Sequence, residues 1–235
     1  MTGQNTANAL DAALRQALDM DVPVNQRLEI YAVALRRHLV PFAEAVDRLV
    51  ERLEHVGAGS GAPKVGETMP PFLLPDHTGC LVGLDDLLTD GPVAIAFHRG
   101  HWCPYCQINA RALAQVQHRV RTRGGQLVAI TPERQQFMQQ HRSAAQAEYR
   151  MLSDVDNGYA LSLNLAIWVG EELKRVMSDF GRDLETYQGN PSWFLPIPAT
   201  FVVSRSGVIT ARFVDPDYRR RMEVEELVAA LEAAH

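Results

Sequence analysis

Two cysteines separated by two residues are the side chains in this sequence best suited to chemistry. They lie in the run Trp102-Cys-Pro-Tyr-Cys106, which follows the short apolar run Val93–Phe97 and opens a helical pattern over residues 104–122. A thiol reacts as its thiolate, and the free N–H groups and positive dipole of a helix N-terminus stabilise that anion. The sequence therefore predicts a reactive cysteine pair where a buried strand turns into a helix.

The order of the two cysteines predicts their roles. Cys103 lies at the helix start and nearer to solvent, so we expect it to attack. Cys106 lies one turn inside the helix on the same face, within reach of a disulfide, so we expect it to resolve. Pro104 suits the first helical turn, because the N–H that proline lacks has no helical partner there. Cys80 lies on a predicted turn and is interpreted as incidental.

Other interpretations of the cysteine pair remain open. The pair could be half of a zinc site, with His98 and His101 close by, or it could be two inert buried cysteines. Structural zinc sites usually take two such pairs, and Cys80 is the only further thiol, so we predict no metal. The sequence has no glycine-rich phosphate loop, and we therefore expect no nucleotide or flavin cofactor.

Strands and helices alternate after residue 63. This order predicts an α/β protein with a thioredoxin-like fold, in which helices flank a central mixed sheet. Predicted strands are Val93–Phe97, Gln126–Thr131, a short edge strand Tyr149–Leu152, and a hairpin of Thr200–Val203 with Val208–Val214; predicted helices are 104–122, Glu133–Glu148, pieces of 156–180, and Glu223–Ala234.

The N-terminal region is predicted to be an all-helical extension. Leucines and other apolar residues repeat at helical spacing over residues 6–55, and Pro41 predicts a break near Val40 with the proline in the first turn of a new helix. The segment Gly57–Pro63 has the composition of a linker, so we divide the chain into an extension, 1–58, and a redox domain, 59–235. The apolar helix face predicts an arm that packs on a second subunit in a homodimer, with an intramolecular cap as the alternative.

Composition excludes several classes of protein. The 235 residues are 46% hydrophobic and 22% charged, as in an ordinary globular protein, and the net charge of −5 argues against nucleic acid as a partner. Two basic runs, Arg119–Arg123 and Arg219–Arg221, are interpreted as solvated surface. We find no signal peptide in the first thirty residues and no segment apolar enough to span a membrane, and so expect a cytoplasmic protein.

Five motifs carry a family resemblance. From about Lys64 to Leu231 the chain resembles the alkyl-hydroperoxide-reductase/thiol-specific-antioxidant (AhpC/TSA) superfamily, and within it the peroxiredoxin-like branch. The matching segments are Val65–Phe72, Arg99–Cys106, Leu152–Asp154, Leu195–Val203 and Phe213–Tyr218.

The resemblance implies a thioredoxin fold and a thiol peroxidase. Cys103 would then attack a hydroperoxide and become a sulfenic acid, and Cys106 would resolve it as a disulfide. The implied partners are a hydroperoxide substrate and a thioredoxin- or glutaredoxin-type reductant. Two alternatives are a disulfide oxidoreductase that uses the same two thiols and a non-catalytic redox sensor.

The sequence departs from the typical peroxiredoxin pattern at three positions. The usual proline and threonine, seven and three residues before the cysteine, are Ala96 and Gly100 here, and the usual late arginine aligns with Pro198. Thioredoxins place a cis-proline at that last position, opposite the cysteine pair, where it shapes the groove for a partner disulfide. The resemblance therefore predicts a cis bond between Ile197 and Pro198, facing Cys103.

Other side chains must replace the missing donors if a peroxide is the substrate, because negative charge develops on the leaving oxygen. Arg99, four residues before Cys103, is the first candidate and His101 is the second; the alternative for Arg99 is a salt bridge at the loop edge. Trp102 is expected to shield the site. Trp193, with Phe194 beside it, is expected to wall a substrate groove, with core packing as the alternative.

Overall fold

The computed structural model describes residues 3–234 of the chain. Its helices are α1 (Gly3–Asp19), α2 (Val24–His38), α3 (Val40–His55), α4 (Leu84–Asp90), α5 (Pro104–Thr122), α6 (Gln135–Ala145), α7 (Gly158–Ser162), α8 (Glu171–Asp179), α9 (Leu184–Gln188) and α10 (Val224–Ala233). Its strands are β1 (Leu73–Pro75), β2 (Leu81–Gly83), β3 (Val93–Phe97), β4 (Gln126–Thr131), β5 (Arg150–Ser153), β6 (Ala166–Trp168), β7 (Phe194–Pro196), β8 (Ala199–Val203) and β9 (Ile209–Val214). None of these described helices has the length and apolar character needed to cross a membrane.

A mixed five-stranded sheet forms the centre of the molecule, in the order β5-β4-β3-β8-β9. β3 pairs in parallel with β4 and antiparallel with β8, and every residue of β3 is buried. A strand covered on both faces must be apolar throughout, which is why the run in β3 shows no polar alternation. The thioredoxin-like sheet predicted from the sequence is confirmed, and its central strand leads into the loop that carries the cysteines.

Four three-residue strands and two short helices, α4 and α9, are elements that the sequence pattern did not predict. β1 and β2 form a separate hairpin ahead of α4, and β6, inside the region expected to be helical, pairs with β7. Strands this short have almost no periodicity of their own, so a distant partner decides them. α6 ends at Ala145 because Gln146 takes a left-handed conformation, with φ of 56°.

The N-terminal helices are interrupted twice. The break between α2 and α3 lies where Pro41 predicts it, whereas the break over residues 20–23, between α1 and α2, was not predicted. Leu39 separates α2 from α3, and Pro41 lies in the first turn of α3. The apolar faces of these helices do not extend away from the chain: α2 packs on α5 and α3 packs on α8. Leu28, Leu49 and Ile108 belong to one buried cluster. The helices therefore form the intramolecular cap that was the alternative prediction, and these apolar positions leave no free arm for a second subunit.

The glycine-rich segment after α3 is packed rather than extended. Ala62 is 1% exposed. Gly59 has φ of 80°, and a Cβ at this position would lie 2.9 Å from a methyl group of Val214. Close approach to the sheet, rather than linker flexibility, explains this glycine. The boundary predicted near residue 58 therefore separates two regions that share a hydrophobic cluster.

Candidate active site

The cysteine pair lies at the start of α5, directly after the loop that leaves β3. Cys103 is the residue before the helix and Pro104 is its first residue. Both thiols are free, with Cys103 2% and Cys106 0% exposed. The backbone N–H of Arg99 donates to the Cys106 sulfur at 3.2 Å. The structure therefore brings together the two predicted cysteines and the predicted arginine.

The two thiols have opposite electrostatic environments. Burial by itself would raise the pKa of Cys103, but the hydrogen bond from Cys106 and the positive charges of Arg99 and Arg221 outweigh it and lower the pKa to about 6. Burial, together with the hydrogen bond to Cys103 and the charge of Cys103, raises the pKa of Cys106 well above its usual value. At neutral pH Cys103 is thus the thiolate and Cys106 the thiol, which supports the predicted order of roles.

Arg99 is a buried cation beside Cys103. It is 4% exposed, and its guanidinium carbon lies 3.7 Å from the ring centroid of Tyr218 and 5.1 Å from that of Trp102. Within residues 3–234, its Nη1 has no hydrogen-bond partner. The predicted alternative, a salt bridge at the loop edge, is not the arrangement seen, because Arg99 lies inside the protein with its guanidinium against the Tyr218 ring.

A cavity of about 650 Å³ opens onto Cys103, Arg99 and Trp102. The first three helices supply much of its wall, and their contribution is mainly apolar. These wall residues are Leu10, Leu14, Tyr31, Leu35, Leu39 and Phe42. The helical extension therefore helps to enclose the reactive sulfur, which explains its low exposure.

His101 is not part of the cavity wall. Its Nδ1 lies 2.5 Å from a carboxyl oxygen of Glu133, and its backbone N–H donates to the other oxygen at 2.7 Å. Glu133 is 0% exposed, and burial raises the pKa of its carboxyl group despite the opposing effect of His101. Glu133 was not identified from the sequence as a site residue. Its position just after the carboxyl end of the buried strand β4 could have indicated it.

Gly100 is what allows the Glu133 carboxyl to lie in this position. A Cβ at residue 100 would lie 2.6 Å from the Glu133 carboxyl carbon and 2.6 Å from Nε1 of Trp102. Its φ of 140° also favours glycine. The position where peroxiredoxins carry a threonine is therefore closed here to any side chain.

The predicted groove residues of the late segment lie away from the cavity. Trp193 is 2% exposed, and its indole N–H donates to Glu185 at 2.9 Å, so core packing describes it, while the neighbouring Phe194 is 37% exposed. Pro198 lies beneath α3 in a small separate cavity that Arg99 also lines. The Ile197–Pro198 bond is trans, since residues 3–234 contain no cis peptide bond, and the prediction of a cis bond is wrong.

Arg221 was interpreted as solvated surface, and the structure corrects this. It is 2% exposed, and its Nη2 lies 3.7 Å from the Cys106 sulfur. In the same basic run before α10, Arg220 is a surface charge with its side chain 66% exposed, whereas Arg219 is partly buried and pairs with Asp217 and Asp47. Sequence alone does not separate the buried arginine from its more exposed neighbours, because the run has no periodicity.

The histidines near the cysteine pair do not assemble a metal site. His98 is buried, with Nδ1 3.1 Å from Nε2 of His141 and Nε2 2.9 Å from the side-chain oxygen of Asn109. Burial lowers the pKa of both histidines. Over the described part of the chain, no three His, Cys, Asp or Glu side chains are grouped so that they could hold a metal ion.

Comparison with known proteins assigns the family. The sequence model of the AhpC/TSA family matches residues 65–212. The chain belongs to the AhpC/TSA family. In this AhpC/TSA protein, α1–α3 and Arg221 lie outside the matched span. No curated protein matches the chain.

Solved structures show the same fold at low sequence identity. Peroxidoxin BcpB from Mycobacterium tuberculosis is 20% identical over 73% of this chain and 98% of its own, with a TM-score of 0.56. Reduced Prx3 from Vibrio vulnificus in complex with H2O2 is 18% identical over 72% and 99%, with a TM-score of 0.56. AhpC from Enterococcus faecalis is 15% identical over 72% and 90%, with a TM-score of 0.55.

Proposed function

We propose that this AhpC/TSA protein is a thiol peroxidase that reduces hydrogen peroxide or organic hydroperoxides through Cys103. One observation carries the proposal. A sulfur with its pKa lowered to about 6 lies at the wall of a cavity of about 650 Å³, beside the buried cation Arg99. A stabilised thiolate is the nucleophile that attack on an O–O bond requires, and a fixed cation lowers the energy of the departing oxygen anion.

The proposed reaction has two chemical steps on the protein. The Cys103 thiolate attacks the terminal peroxide oxygen, the O–O bond breaks, and the alkoxide or hydroxide leaves and takes up a proton, which leaves a sulfenic acid on Cys103. Cys106 then attacks the Cys103 sulfur, and a disulfide and water form. Two electrons from an external thiol reductant restore both thiols.

The alternative, a disulfide oxidoreductase with the same thiols, has one observation in its favour: a CxxC pair at a helix start. The low exposure of Cys103 does not separate the two functions, because a thioredoxin- or glutaredoxin-type reductant must also reach this residue in every peroxidase turnover. A hydroperoxide is small enough to enter the cavity of about 650 Å³ as it stands, and the relative rates with hydroperoxide and disulfide substrates decide between the two functions.

The reductant, location and assembly remain predictions. We propose a thioredoxin- or glutaredoxin-type reductant, and a reducing compartment such as the cytoplasm, because the disulfide must be reduced in every turnover. The homodimer is tested by light scattering on the 26.2 kDa chain, where twice that mass is expected. The interface of such a dimer lies outside the apolar faces of α2 and α3, since these faces are buried within the chain.

Rapid-mixing experiments test the proposed function. Reduced protein is mixed with stoichiometric hydrogen peroxide, cumene hydroperoxide or a small disulfide, and loss of the Cys103 thiolate is followed. A peroxidase reacts with at least one of the hydroperoxides much faster than free cysteine does. Reaction with the disulfide alone would replace the proposal with the oxidoreductase alternative.

A further inference from the structure

Arg221 is a buried cation that makes no ion pair with a carboxylate of residues 3–234. Its side-chain hydrogen bonds within this range go to the carbonyl oxygens of Tyr218 and Arg220 and to the sulfur of Cys106. Its Nε is buried and has no partner in the described part of the chain. Burial of an unpaired charge costs several kcal/mol, so a cation in this setting needs an anion close by. The ionisable group in direct contact with its guanidinium is the Cys106 thiol, at 3.7 Å.

The surroundings of Cys106 make its ionisation difficult. Burial, and then the contact with Cys103, raise the pKa of Cys106 well above its usual value, and Arg221 is the first of the charges that oppose this effect, with His98 after it. Yet Cys106 must act as a thiolate in order to attack oxidised Cys103, and must leave as one when the disulfide is reduced. The reaction therefore needs a positive charge at this sulfur.

The fold holds the backbone of Arg221 in place. The Asn25 side chain accepts the Arg221 backbone N–H at 2.9 Å and donates to the Arg221 carbonyl at 2.8 Å. Glu223 accepts the backbone N–H of Val24 at 2.9 Å. The start of α2 thus anchors the segment before α10, and the cation has a fixed position relative to the cysteine pair.

We propose that Arg221 is the catalytic cation of the resolving cysteine, stabilising the Cys106 thiolate whenever the Cys103–Cys106 disulfide forms or breaks. This inference rests on the proposed function only in requiring that the disulfide form. In resolution, Cys106 loses its proton, its sulfur bonds to Cys103, the S–O bond breaks, and the hydroxide leaves with that proton as water. In reduction, an external thiolate attacks Cys103, and the S–S electron pair leaves on Cys106 beside Arg221.

This role has a thermodynamic consequence. In the reduced protein Arg221 lies beside a thiol pair that carries one negative charge, the Cys103 thiolate, whose pKa Cys106, Arg99 and Arg221 lower against the effect of burial, and in the oxidised protein it lies beside an uncharged disulfide. It therefore stabilises the reduced form and raises the reduction potential of the pair. Removal of the charge should slow resolution and at the same time make the disulfide harder to reduce.

Arg221→Met tests the proposal, with Arg219→Met as the matched control because Arg219 pairs with carboxylates and does not contact a cysteine. Reduced protein is mixed with one equivalent of peroxide at pH 8.5, where Cys103 is a thiolate even if its pKa rises by a unit, and sulfenic acid and disulfide are followed separately. We expect Arg221→Met to slow disulfide formation by about 10- to 100-fold, and to slow the first oxidation by less than about 3-fold.

The reduction potential gives an independent measurement that needs no peroxide. In a glutathione redox buffer, each tenfold loss of stabilisation of the reduced form lowers the potential by about 30 mV. Arg221→Lys retains the charge and should recover part of both effects. Arg221→Gln retains an N–H donor toward the Tyr218 carbonyl but lacks the charge, so it should behave like Arg221→Met. If the methionine variant does not fold, the glutamine variant tests the role of the Arg221 charge in its place.

The outcomes separate this inference from the proposed function. If a folded uncharged variant matches Arg219→Met in both resolution rate and potential, the role of Arg221 is refuted while the peroxidase remains. If native protein shows no rapid first phase with any hydroperoxide, the peroxidase is refuted, and a lowered potential in Arg221→Met still supports the electrostatic role.

Discussion

Replacement of Arg99 tests the electrostatic basis of the proposed peroxide reduction. Arg99→Met removes the guanidinium that lies 3.7 Å from the Tyr218 ring while keeping an unbranched side chain of similar length. Two effects follow from loss of this charge. The pKa of Cys103 rises from about 6, because Arg99 is among the groups that lower it. The departing oxygen also loses a cation that stabilises its developing charge.

The two effects differ in size at neutral pH. With a pKa of about 6, the native protein has roughly 25 thiolates for each thiol at pH 7.4. A pKa rise of one unit would still leave about 70% thiolate, a loss of only about 1.3-fold in rate. Loss of one electrostatic donor from a reacting centre costs about 10- to 1000-fold. A large rate loss at pH 7.4 therefore measures stabilisation of the leaving oxygen and not the amount of thiolate.

The assay is the second-order rate of Cys103 oxidation by peroxide between pH 4.5 and 9. The native rate should halve as pH falls through about 6, because the thiolate is lost there, and should be flat above about pH 7.5. Arg99→Met should shift the midpoint upward and lower the plateau. Arg205→Met is the control, since Arg205 is exposed and bonds the Thr89 carbonyl. An unchanged midpoint together with an unchanged plateau would show that Arg99 has only a structural role.

Three further predictions concern the roles of the thiols and the packing around them. Cys103→Ser should abolish turnover, whereas Cys106→Ser should still take up one equivalent of peroxide and leave a sulfenic acid that dimedone traps; oxidation of Cys103→Ser alone would reverse the roles. Gly100→Ala should lower the free energy of unfolding by about 1–3 kcal/mol in denaturant titrations, because its Cβ meets the Glu133 carboxyl; unchanged stability would contradict the contact. Leu49→Ala should lower the free energy of unfolding by about 2–5 kcal/mol. Calorimetry should still show a single unfolding transition, because the cluster that contains Leu49 includes residues of the redox domain. Two separate transitions would contradict a shared core.

The elements that the sequence alone determined are those with strong local signals. A continuous apolar run followed by Cys-Pro-Tyr-Cys predicts a buried strand, a turn and a helix start, and the structure has β3, the loop and α5 at those positions. Pro41 likewise predicts the break between α2 and α3, since proline cannot occupy a helix interior without loss of a hydrogen bond. In each case the residue itself restricts the backbone or the burial, so no distant contact is needed.

The surroundings of the two sulfurs were decided by tertiary structure. Arg221 stands 115 residues after Cys106 in the chain, and nothing near it in sequence shows that it is buried. Glu133 reaches His101 only because β4 lies beside β3 and Gly100 leaves room for its carboxyl. Burial and charge pairing depend on which segments meet, and both effects act across space rather than along the chain.

The surface against which the helical extension packs was also decided by tertiary structure. Its apolar spacing predicts a buried face, and that spacing is the same whether the face meets a second subunit or the same chain. Only the fold shows that α2 packs on α5, and that Tyr31 and Phe42 help to enclose Cys103. Amphipathic periodicity determines which face of a helix must be buried. The geometry of the connecting segments determines which part of the protein buries that face.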